Sequence, residues 1–157
     1  MVKKTSLKSY TNQKNNILAK NNQLMNSYEE KLSLLAEMVS FSVVDGKLHD
    51  RELQFLTLVA DELQIKVEDF KQLFHQEFYP TVIKTEFQRI QQFYRLALLM
   101  HCDGILHERE KEAIHQIGIT MGLNPYAMKR VLKAMEISKT RMVSPEFLLE
   151  IFQEQLN

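Results

Sequence analysis

Two stretches of this sequence are nearly the same: DGKLHDRE at residues 45–52 and DGILHERE at residues 103–110. Six of the eight positions are identical, and a seventh keeps its negative charge as Asp50 in one copy and Glu108 in the other. The copies are 58 residues apart, and apolar positions beyond them align at the same interval. The sequence therefore predicts an internal duplication in which one local backbone structure is used twice.

The segments that flank each octapeptide have the periodicity of amphipathic helices. Apolar residues recur every three or four positions before the first copy, at Leu32, Leu35, Val39 and Val43. This spacing places side chains on one face of an α-helix. Only 4 glycines and 3 prolines occur in 157 residues, and such scarcity of helix breakers favours long helices.

These patterns predict an all-α fold of about seven helices in two pseudo-symmetric halves, preceded by a polar N-terminal arm. The helical domain is expected over residues 28–157, with halves at about 30–75 and 85–136. Halves of this length suit a bundle in which each covers the apolar face of the other. Residues 1–27 are polar and carry five lysines and no acid, so we expect a basic arm that is disordered or forms a marginal helix.

Composition excludes several classes of protein. The 20 basic and 20 acidic side chains balance, which argues against a surface built for nucleic acid. A single cysteine, Cys102, allows neither an intramolecular disulfide nor a cysteine-rich zinc site. We identify no signal peptide and no apolar run long enough to span a bilayer, so a cytoplasmic location is expected.

Each octapeptide has a structural interpretation as a corner between two helices. Glycine after a helix supplies a left-handed backbone conformation, and the preceding aspartate suits local turn hydrogen bonds. Glu52 and Glu110 stand three residues beyond His49 and His107. At that spacing a glutamate reaches back to the first backbone N–H of its helix. In this interpretation the octapeptide is a hinge and has no ligand.

A second interpretation is a metal site. The Asp, Gly, Leu and Glu of each corner match positions 5, 6, 8 and 12 of an EF-hand loop. Positions 1 and 3 of the first loop would be Phe41 and Val43, whose side chains cannot bind a hard cation. An EF-hand is thus rejected, but a looser divalent-cation site remains open, with four candidate ligands: Asp45, Glu52, Asp103 and Glu110.

Other constellations are weaker. His49 and His107 could share a softer ion such as Zn²⁺ or Ni²⁺ only if the two corners face each other. The sequence has no glycine-rich phosphate loop, no HExxH motif and no recognisable Ser/His/Asp arrangement. We therefore expect no enzyme activity and no catalytic residue.

The motifs VVDGKLHDRE and HCDGILHERE, each followed by an apolar helix, resemble those of the TerB-like tellurite-resistance superfamily over about residues 30–136. The resemblance implies an all-helical fold with internal pseudo-symmetry and an acidic surface for divalent metal. It also implies a role in stress response or as a helper module at the membrane. Histidine at positions 49 and 107 departs from the small capping residue that is more usual there.

Two functions follow as expectations. The first is a non-enzymatic TerB-like module that binds or scaffolds a protein partner, with a divalent cation at the acidic corners. The second is a metal-free helical interaction domain whose basic arm engages an anionic partner or associates peripherally with a membrane surface. Neither involves nucleic acid.

Overall fold

Seven α-helices make up most of the chain in a computed structural model, which describes residues 27–44, 46–75, 77, 82–102 and 104–154. The helices are α1 (Tyr28–Ser42), α2 (Asp50–Glu62), α3 (Val67–Gln72), α4 (Glu86–Met100), α5 (Glu108–Thr120), α6 (Pro125–Ile137) and α7 (Pro145–Glu154). The predicted all-α fold with about seven helices is confirmed. The predicted arm at residues 1–27 lies outside the described residues, apart from Ser27.

The helix boundaries repeat at the interval of the octapeptide. Helices α1 and α4, α2 and α5, and α3 and α6 each begin 58 residues apart. The first two pairs also have equal lengths, of 15 and 13 residues. The duplication predicted from sequence is therefore a duplication of structure, and α7 follows it as an additional helix.

Hydroxyl and amide side chains begin three of the helices. The Ser27 hydroxyl accepts a hydrogen bond from the backbone N–H of Glu30 at the start of α1. Thr85 does the same for Gln88 at the start of α4, and Asn124 caps α6 ahead of a proline. These caps satisfy N–H groups that have no partner inside the helix, which explains where the helices begin.

The connection from the second to the third helix of each half also has equivalent conformations. Gln64 and Gly122 occupy the same repeat position, and their φ angles are +58° and +77°. The left-handed conformation ends α2 and α5 and lets the chain turn into the next helix. Glycine adopts it without the steric cost that glutamine bears.

Helices α1 and α4 form the centre of the bundle. Helix α4 packs against α1, α2 and α5, and α1 also packs against α2 and α5. The core is filled mainly by aliphatic, aromatic and methionine side chains, among them Leu35, Met38, Phe41, Phe93, Leu96, Met128 and Met135. Burial of such side chains is the main source of stability in a bundle of this size.

Helix α7 closes one side of the bundle. Its Phe152 ring meets Phe93 of α4 edge to face, with centroids 6.1 Å apart. The chain before α7 is held by Tyr94, whose hydroxyl donates to the carbonyl of Val143 and accepts from its N–H, both at 3.1 Å. The second half is thus covered by a C-terminal segment.

One glycine is required by close packing between helices. Gly118 lies inside α5, where a Cβ atom would stand 2.0 Å from the sulfur of Met128. Its counterpart in the first half is Ala60, where Phe70 takes the place of the methionine. The second half therefore has glycine where the first half has alanine, and this leaves room for the Met128 side chain of α6.

Candidate functional site: the paired Asp-Gly corners

The backbone of the two corners follows one design. Gly46 and Gly104 have φ angles of +90° and +76°, as predicted for a left-handed residue after a helix. The N–H of Gly46 donates to the carbonyl of Val43 at 2.9 Å, and that of Gly104 to His101 at 3.3 Å. Candidate ligands Asp45 and Asp103 lie outside the described residues, although their neighbours on both sides are described.

The other two candidate ligands, Glu52 and Glu110, are buried beneath the corners. Each is 1% exposed, and each carboxylate accepts the backbone N–H of its N-cap histidine. The distances are 2.8 Å to His49 and 3.4 Å to His107. Each histidine side chain in turn accepts a hydrogen bond from the backbone N–H of the glutamate three residues later, which completes a capping box. The predicted capping role of both glutamates is confirmed.

The two corners face each other. The rings of His49 and His107 are parallel within 7°, and their centroids are 6.0 Å apart. These residues are equivalent in the two repeats, so their contact is the one that a local two-fold axis between them would produce. His49 and His107 could share a ligand only if the two corners face each other, and this condition is met.

A second pair of equivalent residues meets on the same axis. Leu34 and Gln92 are 58 residues apart, and the Gln92 side-chain nitrogen donates to the carbonyl of Leu34 at 3.1 Å. This contact joins α1 and α4 where they cross. Sequence reasoning missed it, although a glutamine at a position that is leucine in the other repeat was the available signal.

The surroundings of the corners are less symmetric than the corners themselves. His101 is 8% exposed, whereas its counterpart Val43 is 45% exposed. Burial lowers the pKa of His101, the Arg141 guanidinium lowers it further, and Glu136 opposes this effect. Glu136, near the end of α6, and Arg141, in the segment after it, therefore lie close enough to His101 to act on its charge.

Cys102 does not contribute an evident reactive group to the corner. It is half-buried, and its sulfur lies 3.3 Å from the carbonyl of Leu98, one turn earlier in α4. This is the usual position of a packed thiol on a helix.

The described residues alone do not form a metal site. Within the part of the chain that the structure describes, no three His, Cys, Asp or Glu side chains lie close enough to hold one ion. One oxygen of each buried glutamate is also occupied by an N-cap N–H. A cation at the corners would therefore need the aspartates that precede Gly46 and Gly104.

A groove of about 130 Å³ between α4 and α7 is lined by Glu86, Phe87, Ile90, Leu149, Phe152 and Gln153. Small-molecule sites usually have volumes of roughly 300–1,000 Å³. No described helix is long and apolar enough to cross a membrane.

Comparison with known families gives one match. Residues 3–75 match the family model described as Tellurite resistance protein TerB. The matched span includes α1, α2, α3 and the first corner. The same comparison against curated proteins and against solved structures found no match.

Proposed function

The chain is a TerB-like protein, and on that premise we propose that it is a non-enzymatic binding module whose two Asp-Gly corners hold one divalent cation between them. The observation that carries the proposal is the parallel contact between His49 and His107, with ring centroids 6.0 Å apart. Two corners that lay apart would have to bind separate ions, whereas corners that face each other allow one ion to take ligands from both.

A shared ion requires ligands from both corners to come close together. Ca²⁺ and Mg²⁺ bind oxygen ligands at about 2.0–2.6 Å, so opposite ligands of one ion are within roughly 5 Å of each other. Asp45 and Asp103 are each four residues before the histidines that approach across the axis. We assign these aspartates as the direct ligands, with water completing the coordination.

Glu52 and Glu110 have a different role in this proposal. The N-termini of α2 and α5 carry partial positive charge, which would repel a cation near the axis. A buried carboxylate at each N-terminus offsets that charge and keeps the corner in shape through its hydrogen bond to the N-cap. The glutamates therefore support the site from beneath instead of coordinating the ion.

The proposed cellular role is supported by the resemblance to the TerB family. TerB-like resemblance implies a stress-related pathway, in which this module binds or scaffolds a protein partner. The ion would stabilise the relative position of the two halves, because its ligands come from both. Partner binding would then depend on the ion without any chemical reaction at the corners.

The test is a thermal-shift series on metal-stripped protein with Ca²⁺, Mg²⁺, Mn²⁺ and Zn²⁺. An ion at 100 times its dissociation constant adds about 2.7 kcal/mol, or several degrees for a chain of this size. Asp45→Asn with Asp103→Asn is expected to abolish the rise.

The matched control is Asp50→Asn with Glu108→Gln, which removes two charges from exposed positions of the same corners. This control should keep the ion-induced rise. If the unmodified protein shows no rise with any of the four ions at millimolar concentration, the cation proposal is wrong.

The lysine distribution favours a second candidate function. Five lysines and no acid lie within residues 1–27, in a chain whose formal net charge is zero. A metal-free interaction domain would use this arm to engage an anionic partner or membrane surface. Deletion of residues 1–26, which keeps the Ser27 cap of α1, should then abolish sedimentation with anionic vesicles while leaving the melting temperature nearly unchanged. Equal sedimentation of both proteins would contradict it.

A further inference from the structure

We propose that Glu37 and Gln92 form a proton-dependent clasp between the two halves, closed when the Glu37 carboxyl is protonated and loosened when it is ionised. The clasp lies where α1 and α4 cross, on the two-fold axis that also passes between the corners. It is independent of any cation at the corners.

The Gln92 side chain is fully buried, and both of its amide protons are used. One is donated to the carbonyl of Leu34 at 3.1 Å, and the other to the Glu37 carboxylate at 2.9 Å. Both bonds cross from α4 to α1. The amide cannot be turned over without leaving these two acceptors unpaired, so its orientation is determined by the contact.

The oxygen atom of the Gln92 amide has an unusual environment. The Gln92 side-chain oxygen is buried and has no hydrogen-bond partner among the residues that the structure describes. A buried polar atom without a partner costs about 1–3 kcal/mol. The Glu37 carboxylate beside it supplies only acceptors while it is ionised, and its negative charge is unfavourable next to a carbonyl oxygen.

Addition of one solvent proton to Glu37 removes both penalties. The carboxyl O–H becomes a donor that can bond the Gln92 oxygen, while the other carboxyl oxygen still accepts from the Gln92 nitrogen. Acid and amide then form a cyclic pair of hydrogen bonds, and no buried charge remains. No bond other than the O–H is made or broken.

The surroundings favour the protonated form. Burial raises the pKa of Glu37, and the hydrogen bond from Gln92 opposes this only in part. Neither of these two causes is a charged group. Arg89 of α4 donates to the carbonyls of Ile83 and Lys84.

Two further charged pairs lie on these elements. Arg95 of α4 interacts electrostatically with Glu62 of α2. Glu30 of α1 is 3.8 Å from Lys84. The charge on Glu37 therefore responds to burial and to Gln92.

The sign of the pH effect follows from this direction. A carboxyl whose pKa is higher in the folded protein stabilises the fold below its unfolded pKa, and that stabilisation is lost as pH rises through the folded pKa. Each unit of difference between the two pKa values changes the folding equilibrium constant tenfold. The two halves should thus be held together more tightly at mildly acidic pH than at neutral pH.

Glu37→Gln tests the clasp because its side-chain amide can donate to the Gln92 oxygen at every pH. Thermal melts are recorded from about pH 4 to about pH 8. Near the upper pH the variant should be more stable than the unmodified protein, and its stability should fall less as pH rises. Glu29→Gln removes the same charge from an exposed position of α1 and should keep the full pH dependence. The clasp is refuted if both variants have the same profile.

A direct titration decides the case even if the variant folds poorly. In the unmodified protein, the carboxyl carbon of Glu37 and the side-chain amide of Gln92 are followed by NMR across the same pH range. The clasp predicts a common midpoint above the ordinary glutamate value of 4.5. A Glu37 midpoint at or below that value, or a Gln92 signal that does not change with it, overturns the proposal.

Discussion

His49 and His107 are the same position of two repeats, and in the folded chain their rings lie parallel with centroids 6.0 Å apart. Leu34 and Gln92, also equivalent, meet through a hydrogen bond at the crossing of α1 and α4. Two such pairs define the axis that relates the halves. The duplicated corners consequently face each other, and this arrangement is the basis of the proposed shared site.

The left-handed glycines should tolerate asparagine better than a branched residue. A Cβ atom at Gly46 or Gly104 would meet no atom within 4 Å, so only backbone conformation resists substitution. Gly46→Val and Gly104→Val should each cost about 1–3 kcal/mol of unfolding free energy. Gly46→Asn should cost clearly less, since asparagine visits this region more readily. Equal losses in urea denaturation would contradict this explanation.

Gly118→Ala should destabilise the protein although alanine is the better helix former. The new methyl group would collide with Met128, and overpacking of this kind costs about 1–3 kcal/mol. A double-mutant cycle with Met128→Ala checks the cause. In that background, Gly118→Ala should become neutral or stabilising, because the sulfur is gone and alanine gains up to about 1 kcal/mol in helix propensity. An unchanged cost would mean that Met128 is not responsible.

Tyr94→Phe should loosen the C-terminal cover of the second half. The substitution removes the hydroxyl that donates to the Val143 carbonyl and accepts from the Val143 N–H. The free energy of unfolding should fall by about 1–3 kcal/mol. Tyr126→Phe serves as the control because Tyr126 is exposed. Hydrogen exchange should increase around residues 138–144 in the first variant only. A uniform increase over the whole chain would point to global destabilisation instead.

Glu52→Gln and Glu110→Gln should weaken the fold without removing the ion. Each exchange replaces a charge-assisted bond to the N-cap N–H by a neutral one, and loss of a cap interaction typically costs about 1 kcal/mol. Calorimetric titration should still detect the cation, with lower affinity because two charges are gone. Complete loss of binding in a folded variant would show that the glutamates are direct ligands.

Most of the secondary structure could be predicted from sequence because its signals are local. Helical spacing, scarce glycine and cap residues such as Ser27 and Asn124 determine where helices begin and end within a few positions. The capping role of Glu52 and Glu110 follows from a spacing of three residues. The repeated octapeptide then indicated that two corners share one backbone structure.

The relation between the corners could not be predicted in the same way. Whether His49 meets His107 depends on how α1 crosses α4, which is decided by packing between residues distant in sequence. His101 is buried and feels the charges of Glu136 and Arg141, which are more than 30 residues away in sequence. Likewise, the partner of Gln92 is on another helix.

The most direct test of the shared site is the number of ions bound per chain, measured by native mass spectrometry on metal-stripped protein titrated with the cation that raises its melting temperature. A shared site should bind one ion per chain, and either Asp45→Asn or Asp103→Asn alone should abolish this binding, because each half supplies an indispensable ligand. Two ions per chain, with each single variant losing one, would show that the corners bind independently and would contradict the shared site.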